Sequence, residues 1–130
     1  MQDRFKFRVW ETDQKIMKDC TQITLDKDQT GSMCDVKGKV TAHLVYQPHY
    51  IVMQCTGLKD KNGKLIYEGD IVKANYITPI GENKEKICTI EFNRCAFWIH
   101  YDSFASYLAN EECEYEIVGN IYENKDLLNE

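Results

Sequence analysis

The stretch Asp60-Lys61-Asn62-Gly63 does most to limit what this chain can fold into. Asn-Gly is the strongest short-range signal for a tight reversal, because both residues tolerate the positive φ that most side chains resist. Polar residues flank it and apolar Leu65, Ile66 and Tyr67 follow, so the chain turns and then enters a strand. A second reversal comes at Glu68-Gly69-Asp70, after which Ile71 and Val72 resume a β-branched run. Residues 56–73 therefore read as turn, short strand, turn, strand, which is how a small barrel begins. An exposed catalytic loop carrying Asp60, Glu68 and Asp70 would need a neighbouring base or a metal-ligand spacing, and nothing adjacent supplies one.

Period-two patterning extends this reading along the chain. In residues 4–10 basic and apolar positions alternate, placing Phe5, Phe7 and Val9 on one strand face and Arg4, Lys6, Arg8 and Trp10 on the other. The polar run 11–15 then predicts a turn, and Ile16-Met17 a returning strand, giving an N-terminal hairpin. Further strands are expected at 22–25, 40–46, 50–55 and 71–77, with polar loops around the first of these over 20–39. Residues 78–85 read as a Pro/Gly-marked, charged and mobile connection. Strands at 86–92 and 96–101 form a hairpin through the turn at 93–95. Phe104, Tyr107 and Leu108 at three-to-four spacing, with Asp102 or Ser103 as cap, predict one short helix over 103–110. A strand over 115–123 contains Gly119, a position that predicts a bulge or barrel corner, and a polar tail follows.

At 130 residues the chain fits a single domain spanning 1–130, large enough to bury a core without disulfides or metal. A net charge of -5 disfavours a non-specific phosphate binder, which wants a basic face. The alternating face of Arg4, Lys6, Arg8 and Trp10 is nonetheless a candidate binding face, although a solvated strand face is the favoured reading. The cysteines at 20, 34, 55, 88, 95 and 113 lack zinc-knuckle spacing, and no secretory leader opens the sequence. They read as reduced cytoplasmic thiols, with Cys55 and Cys88 acting as small buried apolar groups. No apolar run reaches the length of roughly 20 residues that a membrane helix needs.

Catalytic signatures are missing from the sequence. Gly57, Gly63 and Gly69 recur at six-residue intervals, which matches no phosphate-binding or dinucleotide loop. His43, His49 and His100 form no ligand or base pattern. Phe97, Trp98, Tyr101, Phe104, Tyr107, Tyr115 and Tyr122 are numerous enough to stack bases, but the acidic residues 111–116 oppose a nucleic-acid groove, so packing is the favoured role. That acidic stretch is either a surface for a basic partner or simply solvated.

Residues 4–10, 53–63, 66–72 and 116–124, in this order and spacing, resemble the YopX family of phage and prophage proteins across nearly the whole chain. The motif residues are Thr56, Gly57, Leu58, Asp60, Asn62, Gly63, Tyr67, Glu68, Gly69, Asp70, Gly119 and Asn120. Cys55 departs from the bulkier aromatic common before Thr-Gly-Leu, and the cysteine load is unusual. The resemblance implies a mainly β, β-rich α+β protein with an SH3-like barrel element, located in the cytoplasm of the bacterial host and self-associating. It implies no established activity and carries over no catalytic residue, metal site or cofactor. The leading expectation is thus a non-enzymatic binding or assembly module acting through protein contacts as a homo-oligomer, with an unknown phage or host protein as a further partner. A nucleic-acid-associated phage accessory protein is the alternative, and an enzyme of unknown class comes last.

Overall fold

The computed structural model describes residues 6–20, 22–25, 31–34, 40–43, 50–93, 96–101, 104–107 and 113–129. These residues are mainly β, arranged in curled antiparallel sheets. The chain divides into two compact units, Met1–Cys55 and Thr56–Glu130.

In the first unit β1 (Phe7–Glu11) and β2 (Ile16–Cys20) form the expected N-terminal hairpin, in register from Phe7 opposite Cys20 to Glu11 opposite Ile16. On its other side β1 pairs with the first half of β6 (Tyr50–Lys59), from Phe7 opposite Gln54 to Glu11 opposite Tyr50. β1 is therefore central, and its side chains from Arg8 to Glu11 are buried without alternation. Glu11 keeps an ion pair with Lys18 on β2, 2.8 Å away. A second sheet joins β3 (Gln22–Leu25), β4 (Gly31–Cys34) and β5 (Val40–His43). β3 falls where it is expected, whereas β4 occupies part of a region expected to be loop. Residues 26–30, 35–39 and 44–49, with the remaining loop and strand expectations there, lie outside the described residues.

The second half of β6 opens the second unit and pairs with β7 (Leu65–Tyr67). A five-stranded sheet follows, in the order β11-β10-β9-β8-β12. Its strands are β8 (Asp70–Ile77), β9 (Asn83–Asn93), β10 (Ala96–Tyr101), β11 (Phe104–Tyr107) and β12 (Glu114–Asn120). Register aligns Val72 with Cys88 and Ile117, and Ile90 with Ile99, so one sheet face collects the apolar side chains. Together with Ile66 from β7 they form the core, which also holds Ala74 and Tyr115. Burial of each larger aliphatic chain there stabilises the unit by about 1.5–3 kcal/mol.

Three expectations are revised. Phe104–Tyr107 is a strand, paired from Trp98 opposite Tyr107 to Tyr101 opposite Phe104, not the core of a helix over 103–110. An isolated helix of that length is marginal, and its aromatic residues favour a pleated partner once β10 offers one. Residues 102, 103 and 108–110 lie outside the described residues. The connection 78–85 is shorter than expected, a tight turn with β9 already running from Asn83: Thr78 N–H donates to Glu82 O at 2.8 Å and Gly81 N–H to Thr78 O at 2.9 Å. Gly81 supplies the positive φ of 84° that closes it. Finally, a 3-10 helix, Lys125–Asn129, stands where only a polar tail is expected. The bulge expected at Gly119 is present, as a register shift between Ile117 and Gly119.

Candidate functional site

The Asp60–Gly63 turn is a three-residue hairpin loop. Asp60 N–H donates to Lys64 O at 2.8 Å, Gly63 N–H donates to Asp60 O at 3.0 Å, and Gly63 takes φ 79°. Asn62 keeps a negative φ, so the reversal is a type I turn closed by a left-handed glycine, not a loop with two positive φ values. The Asp60 carboxylate organises it. Oδ1 accepts the backbone N–H of Asn62 and of Lys64, each at 2.9 Å, and Oδ2 accepts the N–H of Ile117 on β12 at 3.0 Å. Burial is the largest single influence on this carboxyl and pushes its pKa up. The N–H groups of Ile117, Lys64 and Asn62, with the Lys64 charge, outweigh it and hold the pKa below the ordinary value.

The other motif residues are similarly committed. Thr56 Oγ1 donates to Ile66 O at 2.8 Å and accepts Leu58 N–H at 3.1 Å, tying β6 to β7. Asp70, almost wholly buried, accepts Tyr67 N–H at 2.7 Å across the second reversal. There Gly69 takes φ 86°, donates its N–H to Ile90 O and accepts Ile121 N–H, both at 2.9 Å. Asn120 lies opposite Asp70 in the β8–β12 ladder, and its Oδ1 accepts the N–H groups of Tyr122 and Glu123. A methyl group on Gly119 would meet the Asn124 side chain at 2.6–2.8 Å. Gly57 takes φ 82°, Leu58 is partly exposed and Glu68 is half-buried. The motif thus gathers one hairpin turn, one sheet-to-sheet reversal and one bulge around β12.

Beside the turn lies a groove of about 440 Å³, lined on one side by Lys59–Lys61, on another by Cys113–Tyr115, and closed by Asn75, Tyr76, Ile77 and Asn83. At its rim Lys61 Nζ stands 3.0 Å from Glu116 Oε2. The Lys61 pKa is raised, first by that hydrogen bond and by the Glu116 charge, then by Glu114 and Glu85. Cys113 is half-buried, while Cys55 and Cys88 are buried, and none of the three forms a disulfide. Tyr115 turns its ring into the core, where its hydroxyl makes no hydrogen bond of good geometry; burial, then the Cys113 and Cys88 thiols, raise its pKa.

The candidate binding face on β1 is not assembled. Lys6 is exposed, Arg8 and Trp10 are buried, and Arg4 lies outside the described residues. Alternation at 4–10 suggests one wet face, but the side chains from Arg8 to Glu11 are buried on both faces of β1. Of the aromatics, Phe97 packs against the core and meets Phe92 edge-on at 5.1 Å, and Trp98 Nε1 donates to Asn93 O at 2.8 Å. His100 stands 3.0 Å from Glu91 on the adjacent strand. Among the described residues no group of His, Cys, Asp and Glu is arranged to hold a metal, and no helix is long and apolar enough to cross a membrane.

The sequence matches the family model described as YopX protein over residues 6–129. The chain belongs to the YopX family. YopX from Bacillus subtilis has a similar structure, with a TM-score of 0.67 at 16% identity over 96% of each chain. Protein EF1440 from Enterococcus faecalis is also similar, with a TM-score of 0.58 at 24% identity over 95% of this chain and 96% of its own. No curated protein matches. As a YopX chain, this one keeps its family motif in backbone geometry. Two features of the second unit go beyond a local reading of that motif: the link from its Asp60 to Ile117, 57 residues away, and the β8–β9 hairpin tip. Ile77 and Ile80 stand 65% and 80% exposed at that tip. The sequence reading missed this tip, and the apolar residues on both sides of Thr78-Pro79 are the signal that could have found it.

Proposed function

We propose that this protein is a non-enzymatic contact module of a phage or prophage, acting in the bacterial cytoplasm as a homo-oligomer. The β8–β9 hairpin tip is the observation that carries this reading. Thr78 Oγ1 accepts Glu82 N–H at 3.0 Å and adds to the two backbone bonds of the turn, so Ile77 and Ile80 are held out to solvent on an ordered loop. Apolar side chains on a pre-ordered turn lose little conformational freedom on contact, which favours association. Family membership supports the phage or prophage origin, and the curled five-stranded sheet fits the SH3-like element that the resemblance implies. Light scattering tests the reading. The wild type is expected to exceed the monomer mass, and Ile77→Thr with Ile80→Ser to return it to monomer. A wild type that stays monomeric at high concentration overturns self-association, and salt-sensitive retention on immobilised DNA would move the assignment to a nucleic-acid accessory protein.

A further inference from the structure

The outer edge of β12 is met by a turn instead of a strand. Among the described residues β12 ends its sheet and pairs with β8 on one side only. On the other side Lys61 N–H donates to Tyr115 O at 2.8 Å, and Asp60 Oδ2 accepts Ile117 N–H at 3.0 Å. One donor and one acceptor offered to residues two apart are what a single residue of a parallel partner strand would offer, here with a carboxylate replacing the carbonyl. The Lys61 side chain completes the imitation by bonding Glu116, with Glu114 and Glu85 drawing on the same ammonium. Away from the turn the same edge borders the groove at Cys113–Tyr115, facing Tyr76 and Ile77.

We infer that this edge and groove form a strand-addition site for an extended peptide in which lysine or arginine alternates with apolar residues, and that Lys61 is its built-in competitor. Alternation along β12 places Glu114 and Glu116 on one face and Cys113 and Tyr115 on the other. A peptide added to the edge sets its basic side chains beside the glutamates and its apolar ones toward the groove. Main-chain bonds supply the affinity and alternate side chains the selectivity. The inference rests on the contact-module reading but not on self-association through the hairpin tip.

The test uses the full-length protein and a fluorescein-labelled peptide of alternating lysine and valine, followed by anisotropy. Wild type is expected to bind it, Lys61→Gln to bind roughly threefold tighter because the competing ion pair is gone, and Glu114→Gln with Glu116→Gln to bind roughly tenfold weaker. Lys125→Gln makes the same charge change at an exposed position outside the groove and is expected to leave affinity unchanged. Backbone amides of Cys113 and Tyr115 gain exchange protection on binding. Equal binding of a peptide with its lysines and valines in separate blocks, or equal effects of Lys125→Gln and Lys61→Gln, would reduce the interaction to diffuse charge and overturn the inference. So would failure of both wild type and Lys61→Gln to bind. Ile80→Ser is expected to lose self-association while keeping peptide binding, so the two proposals fail separately.

Discussion

Replacing Asp60 with alanine removes an acceptor from three backbone N–H groups at once, but the three do not suffer equally. Asn62 and Lys64 are exposed turn residues, so water replaces the carboxylate there and each lost bond costs about 0.5–1 kcal/mol. Ile117 sits half-buried in β12, and its N–H is left facing a methyl group with no other acceptor in place. A partly buried donor stranded in this way costs about 1–3 kcal/mol, the more the less water reaches it. The sum is about 3 kcal/mol, which for a chain of this length lowers Tm by roughly 10 °C. Asp60→Asn retains Oδ1 toward the turn but sets either an uncharged oxygen or an N–H group against Ile117, so about half the loss is expected. Hydrogen exchange gives the local readout: the Ile117 amide is slow in wild type, fastest in the alanine variant and intermediate in the asparagine variant. A Tm change under about 2 °C in Asp60→Ala, or unchanged Ile117 protection, would refute the clamp.

The same carboxylate sets an acid limit, since a folded pKa below the unfolded value makes its contribution complete above the ordinary aspartate pKa near ~3.9 and lost as pH falls through the lower folded value. Melting curves should fall below about pH 4 in wild type, with that Asp60 component absent in Asp60→Asn. Tyr115 has the opposite sign: its raised pKa means full stability below the ordinary tyrosine value near ~10 and loss above it, visible by tyrosinate absorbance during alkaline unfolding. Tyr115→Phe should leave Tm unchanged or raise it, because a buried hydroxyl without a good hydrogen bond contributes little. Gly63→Val and Gly81→Ala have open space where a Cβ would sit but φ of 79° and 84°, so each should cost about 1–2 kcal/mol of backbone strain. Gly119→Ala should cost about 1–3 kcal/mol for a different reason, crowding of Asn124, and Asn124→Gly should relieve it in thermal melts.

How legible each element is depends on the distance over which its cause acts. The Asp60–Gly63 reversal and the Gly119 bulge are local chemistry, and both are readable without coordinates. The Thr78–Glu82 turn is also local, with Pro79 and Gly81 spaced as in a type I turn closed by a left-handed glycine, but its charged flanks resemble a loop. Phe104–Tyr107 is different. Its three-to-four spacing is real, and only the register with Trp98–Tyr101 decides that these residues extend. Arg8 and Trp10 mislead for a related reason: alternation predicts a wet face, whereas pairing to both β2 and β6 makes β1 central. The Asp60–Ile117 bond spans 57 residues and leaves no mark in either segment.

The family motif looks chemical because it is rich in Asp, Asn and Glu between glycines, yet in this chain its polar atoms are largely spent on backbone N–H groups. Asp60 holds β12, Asp70 holds the reversal after β7, and Asn120 holds the turn after β12. A carboxylate that already accepts three donors and whose pKa is pushed down is a poor general base, because its basicity is reduced and its lone pairs are occupied. Such residues report the backbone path and not a reaction. The groups that the fold leaves facing solvent are of another kind: the isoleucines of the β8–β9 tip, and the glutamates beside the β12 edge, of which Glu116 is paired with Lys61. Ile77, Ile80 and Glu114 lie outside the segments that carry the family resemblance, whereas Glu116 and Lys61 lie within them, beside the turn that Asp60 organises.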